Sequence, residues 1–328
     1  MTELSRRHTG RAPTRLLPLL VLVVALVCAA ATGCAGTDTA APAEAAPAAR
    51  ESGHAAATLT TDATALRERW QLFSALQILT QRCMREQGLR YLVTNAGPQP
   101  PAGATTAQSI GSRSTPTYGI STALGRMNNG ATAEDRYVRS LPAAQQTRYT
   151  AALDGPADQV TALVLPSGAS GSYGTGGCMA RARAQLYGTV RAAFEDTLVP
   201  QDVNQLLERY LATAPSYQTA LGRWQRCMAQ AGRPAKTPAA LIQSLQAEAV
   251  RGAGAARLAQ EQRAAATLDQ HCDTASGLRR AAATQRDAFL RRQPTRTMTR
   301  LDGVWQHRRQ AVTRAAPLLD QSARAPLD

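Results

Sequence analysis

One eight-residue motif occurs twice in this sequence and constrains its fold more than any other feature. The stretch Gln81-Arg82-Cys83-Met84-Arg85-Glu86-Gln87-Gly88 returns 144 residues later as Gln225-Arg226-Cys227-Met228-Ala229-Gln230-Ala231-Gly232, with five of eight positions identical. Each copy closes an apolar run with helical spacing, and its glycine stands where a helix C-terminus favours a residue of positive φ. Each copy therefore predicts a helix that ends at its glycine and carries a cysteine near that end.

The composition favours helices over sheets. Aromatic residues make up 4% of the 328 residues, alanine is abundant, and turn-forming residues are clustered rather than spread. Helices that pack through Ala and Leu fit this composition, whereas an all-β fold does not. We predict a mainly α protein, a multi-helix bundle stapled by two disulfides, with at most a minor β element near residues 159–165.

The N-terminal 33 residues have the pattern of a secretory signal peptide. Residues 1–15 are basic, residues 16–31 are almost wholly apolar, and the run stops at Ala31-Thr32-Gly33-Cys34. The apolar run is shorter than the roughly 20 residues that a transmembrane helix needs. The last four residues resemble a bacterial lipobox, although Ala31 stands where leucine is usual. That resemblance implies that Cys34 is diacylated, becomes the new N-terminus and anchors the chain to a membrane; simple cleavage and secretion is the alternative.

Residues 34–60 read as a disordered tether. They are mostly Ala, Pro, Thr, Gly and Ser, and such a segment buries too little apolar surface to order itself. We expect the folded part to start after it, with a first helix that begins near Thr61-Asp62, whose side chains suit an N-cap.

The rest of the chain divides into two helical halves, residues 61–198 and residues 199–328. The first half contains a Pro- and Gly-rich stretch at 96–118, which predicts a long surface loop. It also contains Gly168-Ala169-Ser170-Gly171-Ser172-Tyr173-Gly174-Thr175-Gly176-Gly177 directly before Cys178. The spacing of these glycines matches no phosphate-binding motif, so we interpret the stretch as a flexible approach to Cys178. We expect Pro200 to open a helix in the second half.

Four cysteines lie in the folded part, namely Cys83, Cys178, Cys227 and Cys272. An even number in an exported protein predicts disulfides, and three pairings are possible. We prefer 83 with 178 and 227 with 272, because each repeated helix is then tied to the next cysteine-bearing helix. A metal site that uses the four thiols with His271, or a redox pair, is the alternative; no Cys-x-x-Cys spacing supports either, and we predict no metal and no cofactor.

The repeated Arg-Cys-Met-x-x-x-Gly motif, the further Cys178-Met179, and Leu268-Asp269-Gln270-His271-Cys272 together resemble a pattern found in uncharacterised secreted and lipidated proteins of actinobacteria. The resemblance spans most of residues 61–280. It implies export and lipidation but carries no activity that can be transferred to this chain.

Recognisable catalytic patterns are missing from the sequence. There is no His-Glu-x-x-His, no Gly-x-Ser-x-Gly and no Ser-x-x-Lys. Outside the leader the histidines are His54, His271 and His307, and His54 falls within the predicted tether, so a Ser-His-Asp hydrolase would have to use His271 or His307. A glycosidase-type carboxylate pair comes from distant segments and leaves no local pattern.

The C-terminal region is strongly basic. Residues 279–328 contain eleven arginines and four aspartates, within a chain of formal net charge +14. Outside the cytoplasm such a segment meets lipid head groups and acidic wall polymers rather than nucleic acid. A solvated arginine-rich face that covers the core is one interpretation of this segment, and an arginine face that binds such polyanions is the other. The candidate residues are Arg291, Arg292, Arg296, Arg300, Arg308 and Arg309.

These observations predict a lipid-anchored protein on the extracytoplasmic face of the plasma membrane. We expect a non-catalytic binding or accessory subunit, whose partner is an envelope protein or an anionic wall polymer. An envelope hydrolase that acts on peptidoglycan or peptide is the alternative.

Overall fold

The computed structural model describes residues 46–60, 63–93, 118, 133–252 and 254–324. These residues contain eleven helices, one two-stranded sheet and two disulfides, so the predicted fold class is confirmed. The predicted signal peptide, Cys34, the N-cap at Thr61-Asp62 and all of the loop 96–118 except Tyr118 lie outside the described residues.

The helices and strands follow one another in this order: α1 Ala46–Leu59, α2 Ala63–Glu86, α3 Ala133–Ser140, α4 Ala143–Asp154, β1 Val160–Val164, β2 Ser170–Gly174, α5 Gly177–Tyr187, α6 Val190–Leu211, α7 Pro215–Gln230, α8 Pro238–Val250, α9 Ala255–Ser276, α10 Leu278–Leu290 and α11 Thr295–Arg324. Helices α2 and α7 end within the two copies of the repeated motif, as the sequence predicts. Gly277, at φ 69°, separates α9 from α10, and Pro294 separates α10 from α11.

The largest core cluster surrounds Trp224 of α7, whose side chain is fully buried. It collects residues of α1, α6, α8, α9, α10 and α11. A second cluster joins α2, α5, α6 and α11 through Leu72, Leu186 and several alanines, whose small side chains let the helices approach closely. The alanine-rich composition thus serves helix packing, as predicted.

Residues 46–59 correct the prediction of a disordered tether over 34–60. They form α1, which packs mainly on α11, and its Ala55, Thr58 and Leu59 are almost fully buried. Alanine has the highest helix propensity, which favours a helix in this segment. The helix is stabilised because its apolar side chains are buried against α11.

The predicted boundary between residues 198 and 199 is also corrected. Helix α6 runs through it, with Pro200 inside the helix rather than at its start. Helix α11, in the predicted second half, contacts α2 and α5 of the predicted first half as well as α6, which spans the boundary. Residues 44–328 form one compact unit.

The predicted strand at 159–165 is confirmed as β1, and its partner is the stretch that the sequence suggested was a flexible loop. β2 pairs with β1 in antiparallel register, with Val160 opposite Gly174 and Val164 opposite Ser170. Leu163 and Tyr173 are buried, and the Tyr173 ring stacks on Phe194 of α6 with centroids 4.9 Å apart. One apolar residue from each strand thus docks this short hairpin on the helices.

Candidate ligand-binding cleft

The two copies of the repeated motif form the same helix ending. In the first copy, Leu89 N–H donates to Met84 O at 2.9 Å and Gly88 N–H donates to Arg85 O at 2.9 Å. In the second copy, Arg233 N–H donates to Met228 O at 2.9 Å and Gly232 N–H donates to Ala229 O at 3.0 Å. This pair of bonds is the Schellman motif, which requires the left-handed conformation that both glycines adopt, at φ 70° and 74°.

The glutamines and methionines that the two copies share also have matching roles. Gln81 Nε2 donates to Tyr91 O at 3.1 Å, and Gln225 Nε2 donates to Lys236 O at 2.7 Å, so each glutamine holds the chain that follows its helix. Met84 and Met228 are both fully buried. The motif is therefore a structural device that ends a helix and fixes the direction of the next segment.

Both preferred disulfides are confirmed. Cys83 is bonded to Cys178 and Cys227 to Cys272, each with Cα atoms 5.5 Å apart. Structural disulfides persist in oxidising compartments, so the folded unit belongs outside the cytoplasm. Within the described ranges no group of three His, Cys, Asp or Glu side chains is placed to hold a metal ion.

Backbone-to-backbone packing brings Cys178 to its partner. A Cβ atom on Gly177 would lie 2.4 Å from Gly155 N, so the end of α4 and the start of α5 touch at glycines. This replaces the predicted flexible approach with a rigid one. The resulting small cluster of Cys83, Cys178, Met84 and Tyr149 anchors α4 and α5 to the end of α2.

The predicted polyanion-binding arginines do not form one surface. Arg308 has only 4% of its side chain exposed and pairs with Asp196, its Nε 2.7 Å from Oδ1. Arg300 donates to Glu195 Oε1 at 2.9 Å and to Val164 O at 2.5 Å, which ties α11 to α6 and to β1. The prediction is wrong for these two residues, because their charges hold the fold together.

The remaining four arginines of that prediction are exposed. Arg309 donates to Glu68 Oε1 at 3.2 Å, and the Arg292 guanidinium lies 5.5 Å from the centroid of the Tyr210 ring. Arg291 and Arg296 lie near the turn between α10 and α11. Four of the six candidate arginines are therefore exposed, and fewer positive charges face the solvent than the number of arginines in the C-terminal region suggests.

An open cleft lies beside the second motif. Its volume is about 720 Å³, within the range of small-molecule sites. Three elements meet there: the segment after α7, one face of α8 with the turn that follows it, and the first turns of α9. The lining residues are Gly232, Arg233, Pro234, Leu241, Ser244, Glu248, Arg251, Gly252, Arg257 and Glu261.

Charged side chains of both signs line this cleft. Arg233 Nη2 donates to Glu261 Oε2 at 2.5 Å, and this bond together with the positive charge of Arg257 lowers the pKa of the Glu261 carboxyl. The side chains of Glu248, Arg251 and Arg257 make no hydrogen bond or ion pair with any other described residue. The cleft thus presents the guanidinium groups of Arg251 and Arg257 and the carboxylate of Glu248 to a ligand, while Arg233 and Glu261 pair with each other.

Sequence reasoning missed this site because its charges come from three separate segments and no motif joins them. The signal that could have identified it is the location of the second motif, since the Schellman ending of α7 positions Gly232 and Arg233 at the cleft wall.

A second cluster that sequence reasoning missed joins α1 to α11. His54 Nδ1 lies 2.6 Å from Asp302 Oδ1, and Gln306 Nε2 donates to Asp302 Oδ2 at 2.6 Å. The His54 ring stacks on Trp305 with centroids 3.7 Å apart. The sequence assigned His54 to the tether, so its pairing with a residue 248 positions away could not be predicted.

Of the helices that the structure describes, none has the length and apolar character needed to cross a bilayer. Comparison of the chain with protein families, curated proteins and solved structures found no significant match.

Proposed function

We propose that this protein is a lipid-anchored binding protein of the bacterial envelope, held on the extracytoplasmic face of the membrane through Cys34. The disulfides support export, and the lipobox-like Ala31-Thr32-Gly33-Cys34 supports the anchor. The observation that carries the binding role is the 720 Å³ cleft with Glu248, Arg251 and Arg257 available on its walls.

The charges of the cleft favour a ligand that carries both a carboxylate and an ammonium group. Arg251 and Arg257 present planar donor groups, which bind carboxylates through two parallel hydrogen bonds. Glu248 accepts from a cationic group, and Leu241 contributes an apolar contact. Short peptides have this combination, and they occur as chain ends of envelope proteins and as the peptide parts of wall polymers.

Binding of short peptides tests the role of the cleft. Titration calorimetry compares a tripeptide that has both termini free with the same tripeptide blocked at both ends. We expect the free peptide to bind more tightly, and Arg257→Ala to weaken it about tenfold through loss of a charge-assisted bond. Arg263→Ala is the matched control, because Arg263 lies on the same helix α9, is exposed and does not line the cleft. Equal affinity for free and blocked peptides would contradict the proposal.

Metabolic labelling with a fatty acid tests the anchor. We expect label on the wild-type chain in the membrane fraction, and unlabelled protein in the medium for Cys34→Ala. Release of the wild-type protein without label would support ordinary secretion instead.

The pair His54 and Asp302 supports the hydrolase alternative. A histidine oriented by an aspartate is two thirds of a hydrolytic triad. This pair lies on α1 and α11, away from the elements that form the cleft. Release of soluble fragments from purified peptidoglycan tests it: activity that His54→Ala abolishes would favour the hydrolase, whereas fragments released equally by both proteins would remove it.

A further inference from the structure

Two aromatic side chains lie exposed next to each other on α2. Trp70 is 40% exposed and Phe73 is 38% exposed, while the other large apolar residues found exposed in the described ranges are valines. The indole nitrogen of Trp70 makes no hydrogen bond to another described residue. Exposed neighbouring aromatic residues usually mark an interaction surface.

Trp70 and Phe73 form an apolar stripe on the surface of α2. Positions 70 and 73 are three apart and so lie on one side of α2, with the partly buried Leu66 one turn earlier. The opposite side of α2 buries Leu72, Ala75 and Leu79 in the core. Helix α2 therefore has one apolar face for the protein interior and a second, smaller apolar stripe that faces outward.

The charges around the stripe are complementary to a negatively charged surface. Arg67 is exposed one turn before Trp70, and its guanidinium donates to the neighbouring Thr64 hydroxyl at 3.1 Å and to no other described residue. Both carboxylates of α2 are already neutralised, since Glu68 pairs with Arg309 and Glu86 with Arg181. No uncompensated negative charge of α2 opposes contact with anionic lipid.

The position of α2 in the chain points to the same partner. Only eleven residues, 35–45, separate Cys34 from the start of α1, and a fully extended chain of this length spans at most about 40 Å. An anchor at Cys34 therefore keeps the first helices close to the bilayer. This step depends on the proposed anchoring, whereas the affinity of the stripe for lipid does not.

We infer that the Trp70–Phe73 stripe is a second, reversible membrane contact, in which both rings enter the headgroup region of an anionic bilayer and Arg67 binds lipid phosphate. Tryptophan favours this interfacial region because it combines an apolar body with a polar N–H. A single lipid chain gives weak attachment, so a second contact stabilises residence at the membrane.

Vesicle binding tests the stripe separately from the lipid anchor. The probe is the chain from residue 35 onward, which contains the whole compact unit of residues 44–328 and lacks the acyl chains. Vesicles of phosphatidylcholine and phosphatidylglycerol at a 70:30 ratio are prepared with and without brominated acyl chains. In a Trp305→Phe background, which removes the partly buried Trp305, we expect bromolipid to quench the fluorescence of Trp70 and not that of the fully buried Trp224.

Variants assign the contact to the stripe. We expect Trp70→Ala with Phe73→Ala to lower the vesicle partition coefficient at least about tenfold. Val160→Ala with Val164→Ala, which removes exposed apolar side chains elsewhere, should leave it unchanged. Trp70→Phe should remove the quenching while retaining binding. High salt or uncharged vesicles should weaken binding, because Arg67 contributes through charge.

Three results would overturn the inference. These are unquenched wild-type fluorescence, equal partitioning of the double aromatic variant, and a dimer in vesicle-free solution that the double aromatic variant dissociates. Quenching of the wild-type protein needs no variant, so the inference stays testable if a substitution prevents folding. Peptide binding in the cleft is measured without vesicles, and its failure leaves the vesicle result unaffected.

Discussion

The Arg308 guanidinium binds both the side-chain carboxylate and the backbone carbonyl of Asp196. The Arg308 Nε donates to Asp196 Oδ1 at 2.7 Å, and Nη2 donates to the Asp196 carbonyl oxygen at 3.2 Å. That carbonyl lacks its usual helical partner, because the residue four positions later is Pro200, which has no N–H. An arginine 112 residues away thus replaces the hydrogen bond that the proline removes, which allows α6 to continue through Pro200.

Replacing Arg308 with methionine should destabilise the fold by about 3–5 kcal/mol, because it leaves a buried carboxylate and a buried carbonyl without their partner. Denaturant unfolding measures the loss. Arg296→Met is the control, since Arg296 is exposed on the same helix and should change stability by less than about 0.5 kcal/mol. Equal stability of the two variants would show that Asp196 finds another donor.

Each disulfide should contribute strongly to stability. The loops span 95 and 45 residues, and the chain-entropy model gives about 4.7 and 4.0 kcal/mol respectively. We therefore expect Cys83→Ala with Cys178→Ala to lower the free energy of unfolding slightly more than Cys227→Ala with Cys272→Ala. Loss of both bonds should leave little of an ordinary domain's stability. Unfolding of the two double variants and of the reduced wild-type protein provides the comparison.

Glu134 should make stability rise as the pH falls below neutral. Its Oε2 accepts from Leu92 N–H at 2.7 Å, while Oε1 is buried with no hydrogen-bond partner among the described residues. Burial raises the pKa of the Glu134 carboxyl, so the folded state binds a proton more tightly than the unfolded state does. Stability from this group is therefore gained as the pH falls through the folded-state pKa, and is complete below the unfolded-state value.

Glu134→Gln should remove this dependence without loss of stability at pH 7, because the amide oxygen still accepts from Leu92 and carries no charge to desolvate. Thermal unfolding of the wild type and of Glu134→Gln between pH 4 and pH 8 measures the pH dependence of stability. Glu248→Gln, which lies in the open cleft, is the comparison. An unchanged pH profile in Glu134→Gln would refute the assignment.

Substitution of Gly232 should destabilise the protein although there is space for a side chain at this position. No atom lies within 4 Å of an added Cβ, but its φ of 74° disfavours any side chain. We expect Gly232→Ala to cost about 1–2 kcal/mol. Gly303→Ala should instead stabilise α11 by about 0.5–1 kcal/mol, because Gly303 lies inside a helix with open space around it. Similar unfolding midpoints for the two variants would contradict this difference.

Local pattern was enough to predict the ends of α2 and α7 and the strand β1, whereas the cysteine pairing was a preference among three possible connectivities. Helical periodicity and a terminal glycine act within one or two turns, so they can be read from neighbouring residues. The pattern failed where distant partners decide the outcome: α1 folds against α11, β2 needs the docking of Tyr173 on Phe194, and Pro200 is tolerated because of Arg308.

The sequence by itself determined that this is a disulfide-stapled helical protein, and that the repeated motif ends two of its helices. Only the tertiary structure decided which charges are structural and which are available. Arg308 and Arg257 look alike in the sequence, yet one is buried against Asp196 and the other lines an open cleft. The reason is physical: the cost of burying a charge depends on a partner that is distant along the chain, which no local pattern specifies.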